Sequence, residues 1–270
     1  MYRCPSCGRA LVAEPGRYSC SSGHDFDRSR DGYVNLLTAR LSRRSLGDPP
    51  ETLRARRQFL DAGYYLPLRQ VLLEQVSNGS VLDVGCGEGY FTRPLGLGQR
   101  WVGGVDVSKA AIRLAARRAP SIAYAVANAF DLSVVTGSID TVVNVLGPVA
   151  PGELARILAP RGLVVTATAG PDHLIELKSI VLEEPARHAL RGPLDEQSLF
   201  RRVFFDRRNY QFELRQPDLD ALADMTPYRR GAHRNRVRQL EFLTVTADFA
   251  LAVYARGDPQ PPHARSNEHG

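Results

Sequence analysis

The chain has 270 residues and a mass of 29.8 kDa, with 43% apolar and 24% charged residues and a formal net charge of +6. That balance suits a globular protein with a sizeable core and excludes collagen-like, low-complexity and disulfide-stapled chains. No run approaches the roughly 18 consecutive apolar residues of a membrane span, and the opening MYRCPSCGRA has no signal-like apolar stretch, so a cytoplasmic protein without a membrane partner is expected.

The first feature is a set of soft ligands, Cys4-Pro-Ser-Cys7, then twelve residues, then Cys20-Ser-Ser-Gly-His24. Two close pairs at this spacing suit a tetrahedral Zn²⁺ held by Cys4, Cys7, Cys20 and His24, with Asp25 as an alternative oxygen donor. A redox pair or a disulfide fits less well, because no βαβ pattern adjoins the cysteines and a cytosolic chain is kept reduced. Four protein ligands leave no open position, so the metal is expected to be structural.

Asp31–Leu37 reads as a turn entering a short apolar segment, and residues 40–50 as a basic, proline-ended, mobile connection. Glu51–Gly63 and Leu66–Val76 have helical composition, the first stopped by Gly63. From Val81 onward, short apolar runs alternate with helical segments, which predicts a parallel sheet with helices on its faces. The predicted strands are Val81–Val84, Trp101–Val105, Ala123–Ala127, Ile139–Val145 and Leu163–Ala167, with helices at Lys109–Ala119 and Gly152–Leu158. Beyond residue 195, Arg202–Phe205 and Phe242–Tyr254 read as strands and Pro217–Asp224 as a helix; the polar, proline-rich last residues read as disordered.

The sharpest local pattern is Asp83-x-Gly85-x-Gly87-x-Gly89 at the end of the first predicted strand, continuing into Tyr90, Phe91 and Thr92. Alternate glycines let a backbone turn sharply and approach a ligand without a Cβ in the way. A dinucleotide fold would want G-x-G-x-x-G, whose third glycine is Tyr90 here; the alternating form resembles the cofactor loop of class I S-adenosylmethionine-dependent methyltransferases. Asp106, 21 residues past Gly85 at the end of the next strand, is placed to accept ribose hydroxyls; its alternative role, capping the following helix, is already open to Ser108. In that resemblance Asn128, after the third strand, lies beside the adenine. Cys86 reads as small filler within the loop, and Asn144-Val-Leu-Gly-Pro148 as the edge of a substrate pocket.

Charge is unevenly spread. Residues 1–80 carry 12 basic and 8 acidic side chains and residues 187–238 carry 12 and 7, whereas residues 81–186 are almost balanced at 9 and 10. A near-neutral core with basic flanks suits an enzyme acting on a polyanion, and equally a solvated surface.

Together these residues resemble the RlmA-type 23S rRNA (guanine-N1)-methyltransferases, including the branch associated with tylosin resistance. The resemblance runs from the cysteine pairs through Gly32–Leu37, Ala55–Gly63, Asp83–Thr92, Asp106–Lys109, Glu153–Arg156, Thr166–Pro171, His173–Lys178 and Met225–Pro227. It implies a Rossmann-like α/β methyltransferase with a small zinc-binding domain, S-adenosylmethionine as cofactor, and further cofactor contacts from Tyr65 and His173. It divides the chain into a zinc-finger RNA-recognition domain (1–37), a linker with helices (38–80), the methyltransferase domain (81–256) and a tail (257–270). It also implies a homodimer acting on one of two neighbouring guanosines of a 23S rRNA hairpin, 745 or 748. The arginine-rich composition favours 748 and macrolide resistance. Arg43, Arg44, Arg54, Arg56 and Arg57 are expected to clamp RNA, and no catalytic base is readable. Two rivals use the same residues: a methyltransferase for a small natural product, and an RNA-binding module that keeps the fold without activity.

Overall fold

The structure is a computed structural model, and it describes residues 1–37, 47–98, 101–226 and 233–257. Three short antiparallel strands, β1 (Leu11–Glu14), β2 (Arg17–Cys20) and β3 (Asp25–Asp27), form the N-terminal ribbon. The remaining strands build one eight-stranded sheet: β4 (Val34–Asn35), β5 (Ser80–Val84), β6 (Trp101–Asp106), β7 (Ala123–Val126), β8 (Ile139–Val145), β9 (Leu158–Ala169), β10 (Phe200–Arg215) and β11 (Phe242–Arg256). Their order is β10-β11-β9-β8-β5-β6-β7-β4. Pairings from β4 to β9 are parallel and those involving β11 antiparallel.

Successive side chains on these strands face opposite layers, as a period of two requires. Val81, Val143 and Val165 join one core with Phe59, Leu68, Leu72, Ile112, Leu177 and Leu222. Leu82, Val142 and Val164 join the other, with Tyr2, Leu36, Leu132, Leu154 and Ile157. The first core is covered by α1 (Pro50–Asp61), α2 (Leu66–Glu74), α3 (Lys109–Arg118), α5 (Ile175–Val181), α6 (Asp218–Met225) and α7 (His233–Arg238). The second is covered by α4 (Pro151–Ile157) and the ribbon.

Local chemistry explains the helix limits. Pro50 opens α1 at its first position, where its missing N–H is no loss, and Gly63 follows its end with φ +89°. Ser108 caps α3 by accepting the Ala111 N–H, and Arg117 and Arg118 lie in its last turn beside the negative end of the helix dipole. Its buried residues, Ala111, Ile112, Ala115 and Ala116, form the expected stripe.

Three expectations need correction. Residues 34–37 are not the end of a separate domain, since β4 pairs with β7 inside the main sheet. The strand predicted at Leu163–Ala167 starts at Leu158, because that residue pairs with Ile139 before a register shift. Arg202–Phe205 is a fragment of the 16-residue β10, whose charged sequence hides a strand that β11 specifies by continuous pairing. Arg43, Arg44 and the rest of residues 38–46 lie outside the described residues, as does the tail beyond residue 257.

The ribbon is fastened to the sheet at several points. Tyr2 donates its hydroxyl proton to the Ala123 carbonyl and packs edge-on against Trp101, and Arg3 Nε donates to Leu132 O at 3.0 Å. Asp31 accepts from Arg113 at 2.8 Å and Arg117 at 2.6 Å, both on α3.

Candidate active site and metal centre

In the ribbon, Cys4 and Cys7 stand on a turn closed by Gly8 N–H to Cys4 O, and Cys20 and His24 on a second closed by Gly23 N–H to Cys20 O. Gly8 and Gly23 have φ of +74° and +78°, a conformation in which a Cβ would be strained. The four ligand atoms lie within 4.8 Å of one another, with Cys7 Sγ 3.6 Å from Cys20 Sγ and Cys20 Sγ 3.4 Å from His24 Nδ1. A tetrahedral zinc with bonds of about 2.0–2.3 Å separates its ligands by roughly 3.4–3.8 Å, so this donor set fits the metal. The Arg9 backbone N–H draws the Cys7 thiol down to about 6, favouring the thiolate that binds metal.

In the main domain, the carboxyl ends of β5, β6, β7 and β8 meet on one edge, at the point where chain order reverses between β5 and β8; open α/β sheets bind ligands there. Gly85, Gly87 and Gly89 have φ of +79°, +53° and +82°. A Cβ on Gly85 would stand 3.4 Å from Gly147 Cα and 3.5 Å from Pro148 Cδ, narrowing the cleft between two loops. A Cβ on Gly89 would meet Tyr124 Oη at 2.7 Å.

Asp106 organises this edge. Its Oδ2 accepts the Gly87 N–H at 2.9 Å and its Oδ1 the Ser108 N–H at 2.8 Å, so one carboxylate ties the glycine loop to the start of α3. Burial raises its pKa against the pull of those two donors. Asp83 is buried, accepts from Thr92 Oγ1 at 2.6 Å, and is pushed up to about 7 by burial.

Two cavities share Gly85, Asp106 and Pro148. The smaller, about 390 Å³, is lined by Val105, Ala127, Asn128 and Phe130. The larger, about 610 Å³, runs past Gly87, Tyr65, Tyr90, Phe91, His173 and Lys178. Asp83, Gly89 and Thr92 line neither cavity and instead support the loop from behind.

Tyr65 and His173, 108 residues apart, meet with Oη and Nε2 at 3.4 Å. His173 Nδ1 accepts the Asp248 N–H at 3.3 Å, so the ring proton sits on Nε2. Burial lowers the His173 pKa to about 3, keeping the ring neutral. Leu146 and Leu174, on the wall of the larger cavity, have φ of +52° and +55°, uncommon for non-glycine residues and concentrated at functional sites. Nothing in their sequence flags them.

Asn144 is fully buried; its Nδ2 donates to Val84 O at 2.7 Å and Pro148 O at 3.2 Å, pinning the loop after β8 against β5. The arginines expected on RNA are divided. Arg54 is exposed, but Arg56 pairs with Asp48 at 2.6 Å on the cavity wall and Arg57 with the buried Glu88 at 3.3 Å. Both side chains are partly exposed while paired with carboxylates close to the glycine loop.

Comparison with known proteins agrees with this arrangement. Residues 2–44 match the family described as RlmA, N-terminal, and residues 81–162 match a methyltransferase domain. The 23S rRNA (guanine(748)-N(1))-methyltransferase of Streptomyces fradiae is 35% identical over 205 residues, covering 72% of each chain. The chain belongs to the RlmA-type 23S rRNA (guanine-N1)-methyltransferases. Solved structures share the RlmA-type catalytic fold at much lower identity. Bacillus subtilis YcgJ has a TM-score of 0.51 at 13% identity, covering 73% of this chain and all of that one. A protein from the structural work on conversion of a disulfide into a thioacetal in echinomycin biosynthesis also scores 0.51, at 18% identity, covering 71% of this chain and 81% of its own. As an RlmA-type enzyme the chain has S-adenosylmethionine and zinc as its cofactors, and the two cavities and the ribbon cluster have the donors each requires.

Proposed function

We propose that this enzyme methylates N1 of a guanosine in a 23S rRNA hairpin, with guanosine 748 favoured over 745 and macrolide resistance as the physiological result. The reading is carried by one observation: a four-ligand ribbon and the Asp106-tied glycine loop are fastened together in a single chain. The likeness to the 748-specific Streptomyces fradiae enzyme supports the position. A natural-product methyltransferase would leave the ribbon without a purpose.

S-Adenosylmethionine supplies a methyl group already activated on a sulfonium, so the protein's work is orientation and removal of the N1 proton. In this reading Asn128 and the smaller cavity take the adenine, Asp106 the ribose, and the Gly85–Gly89 loop with Tyr65 and His173 the remainder. Tyr90 and Phe91 shape the wall, Arg69 lying 4.5 Å from the Tyr90 ring centre. Because N1 lies on the pairing edge, the guanine must be unpaired to enter the larger cavity beside Leu146 and Pro148. The ribbon and Arg54 are assigned to RNA recognition, and the working form to a cytoplasmic homodimer.

Transfer of tritiated methyl from S-adenosylmethionine to unmodified 23S rRNA, followed by reverse transcription, tests the substrate and the position. A stop one base before guanosine 748 is expected, since a methyl on N1 blocks copying. A stop at 745 would move the enzyme to the other branch. No incorporation, with cofactor bound, would transfer the assignment to a small-molecule substrate.

A further inference from the structure

Lys178 stands in an unusual place for a lysine. It sits on α5, is 3% exposed and lines the same cavity as the glycine loop, yet its Nζ is shut off from bulk water and has no hydrogen-bond partner among the described residues. An unpaired buried ammonium is costly, and such groups persist where a ligand completes them. Burial lowers its pKa, favouring the neutral amine. The surrounding groups do not oppose this. His173, on the preceding turn, is neutral, and burial also lowers the pKa of His188, beyond α5. Asp248 on β11 is engaged by Arg207 at 2.8 Å, and Arg236 on α7 points to Ile180 O. Across the cavity, Asp48 faces Arg56, Glu88 faces Arg57 and Asp106 is held by two backbone N–H groups; Tyr65, Tyr90 and Cys86 all have raised pKa values and stay uncharged.

We propose that Lys178 is the catalytic base of the reaction, its neutral Nζ accepting the N1 proton of the target guanine. The proposal rests on the guanine-N1 reading above. The proton passes from N1 to Nζ, the N1–H electron pair forms the new bond to the methyl carbon, and the carbon–sulfur pair remains on sulfur. One positive charge disappears at sulfur as one appears on Nζ, so the buried site carries the same charge before and after. An ammonium present beforehand would instead add a second cation to the site, which strengthens the bias toward the amine.

The sequence has two lysines, Lys109 and Lys178, and Lys109 is exposed, so lysine carrying ¹³C at Cε gives two resonances, one an internal reference. Lys178 is expected to titrate below the usual lysine range, and to shift further down with S-adenosylmethionine but not with uncharged S-adenosylhomocysteine. Single-turnover methylation of the hairpin should rise with pH, reach half its plateau at that midpoint and level off above it. K178M should lose at least about 100-fold in this rate with S-adenosylhomocysteine and hairpin affinities within threefold of wild type. K178R, which keeps a cation but cannot accept a proton, should be equally slow. Either variant within threefold of wild type, a Lys178 midpoint in the usual lysine range, or lost cofactor affinity in K178M would overturn the assignment while leaving guanine methylation standing. A wild-type enzyme that methylates no RNA would remove both.

Discussion

The ribbon and the sheet are held together by different means. Within residues 1–28 the buried apolar side chains besides the ligands Cys4 and Cys20 are Tyr2 and Leu11, and each contributes only about 1.5–3 kcal/mol. The sheet carries two extended cores, one on each face. A structural zinc in a small finger supplies about 10 kcal/mol or more of folding free energy, so the ribbon depends on a ligand and the catalytic domain does not. If the ribbon recognises RNA as proposed, recognition and chemistry should be separable by treatments that leave one intact.

The largest test of that separation is metal removal. Chelation, or Cys20→Ser, should abolish RNA methylation while S-adenosylhomocysteine affinity by calorimetry changes less than threefold; a collapse of cofactor binding would show that the ribbon and sheet form one stability unit. The converse lesion is Asp106→Ala, which removes the acceptor of two backbone N–H groups. It should weaken cofactor binding by roughly 100-fold, about 2–3 kcal/mol, with zinc content by mass spectrometry unchanged. Gly89→Ala adds a Cβ 2.7 Å from Tyr124 Oη at a φ of +82°. We expect about 2 kcal/mol of lost stability in urea, partly restored by Tyr124→Phe, with the ribbon unaffected.

Asp83 sharpens the comparison through pH. Its folded pKa, about 7, lies above the unfolded value of 3.8, so the native state holds a proton that the unfolded chain releases. The stability this confers is complete below about pH 4 and is lost as pH rises toward 7. Asp83→Asn should remove that contribution: the difference in melting temperature between variant and wild type should change between pH 4 and 7 and be flat above. A constant difference would mean that Asp83 is ionised throughout. The smallest effect is at the surface: Arg54→Ala should weaken hairpin binding a few-fold and reduce its salt dependence by about one counterion, with cofactor affinity unchanged.

Features set by local chemistry were legible in the sequence. The β5 strand with its glycine loop, Asp106 at the end of β6 and the Ser108 cap follow from neighbouring residues, and the cysteine spacing draws the ribbon cluster. Features set by pairing across long separations were not. Val34–Asn35 is too short to read as a strand until β7 lies beside it, and Asp206–Arg215, the rest of β10 beyond the predicted Arg202–Phe205, is too charged until β11 pairs with it. Tyr65 and His173 came from family resemblance, since no periodicity connects residues so far apart. Nothing in the sequence marks Lys178 as buried; only the fold shows it. Arg56 and Arg57 show the reverse case, in which basic residues expected on a polyanion also find carboxylates in their own chain.

The pairing of β4 with β7 also has a timetable. Val34 leaves the ribosome well before its partner Ala125, and Tyr2 before the Ala123 carbonyl it bonds. At ordinary synthesis rates that interval is roughly 5–25 s, during which a metal-loaded ribbon has no sheet to join and Tyr2 stays bare. Newborn chains short of zinc would face the same interval without a folded ribbon, and that is the stage at which shortage should be most damaging.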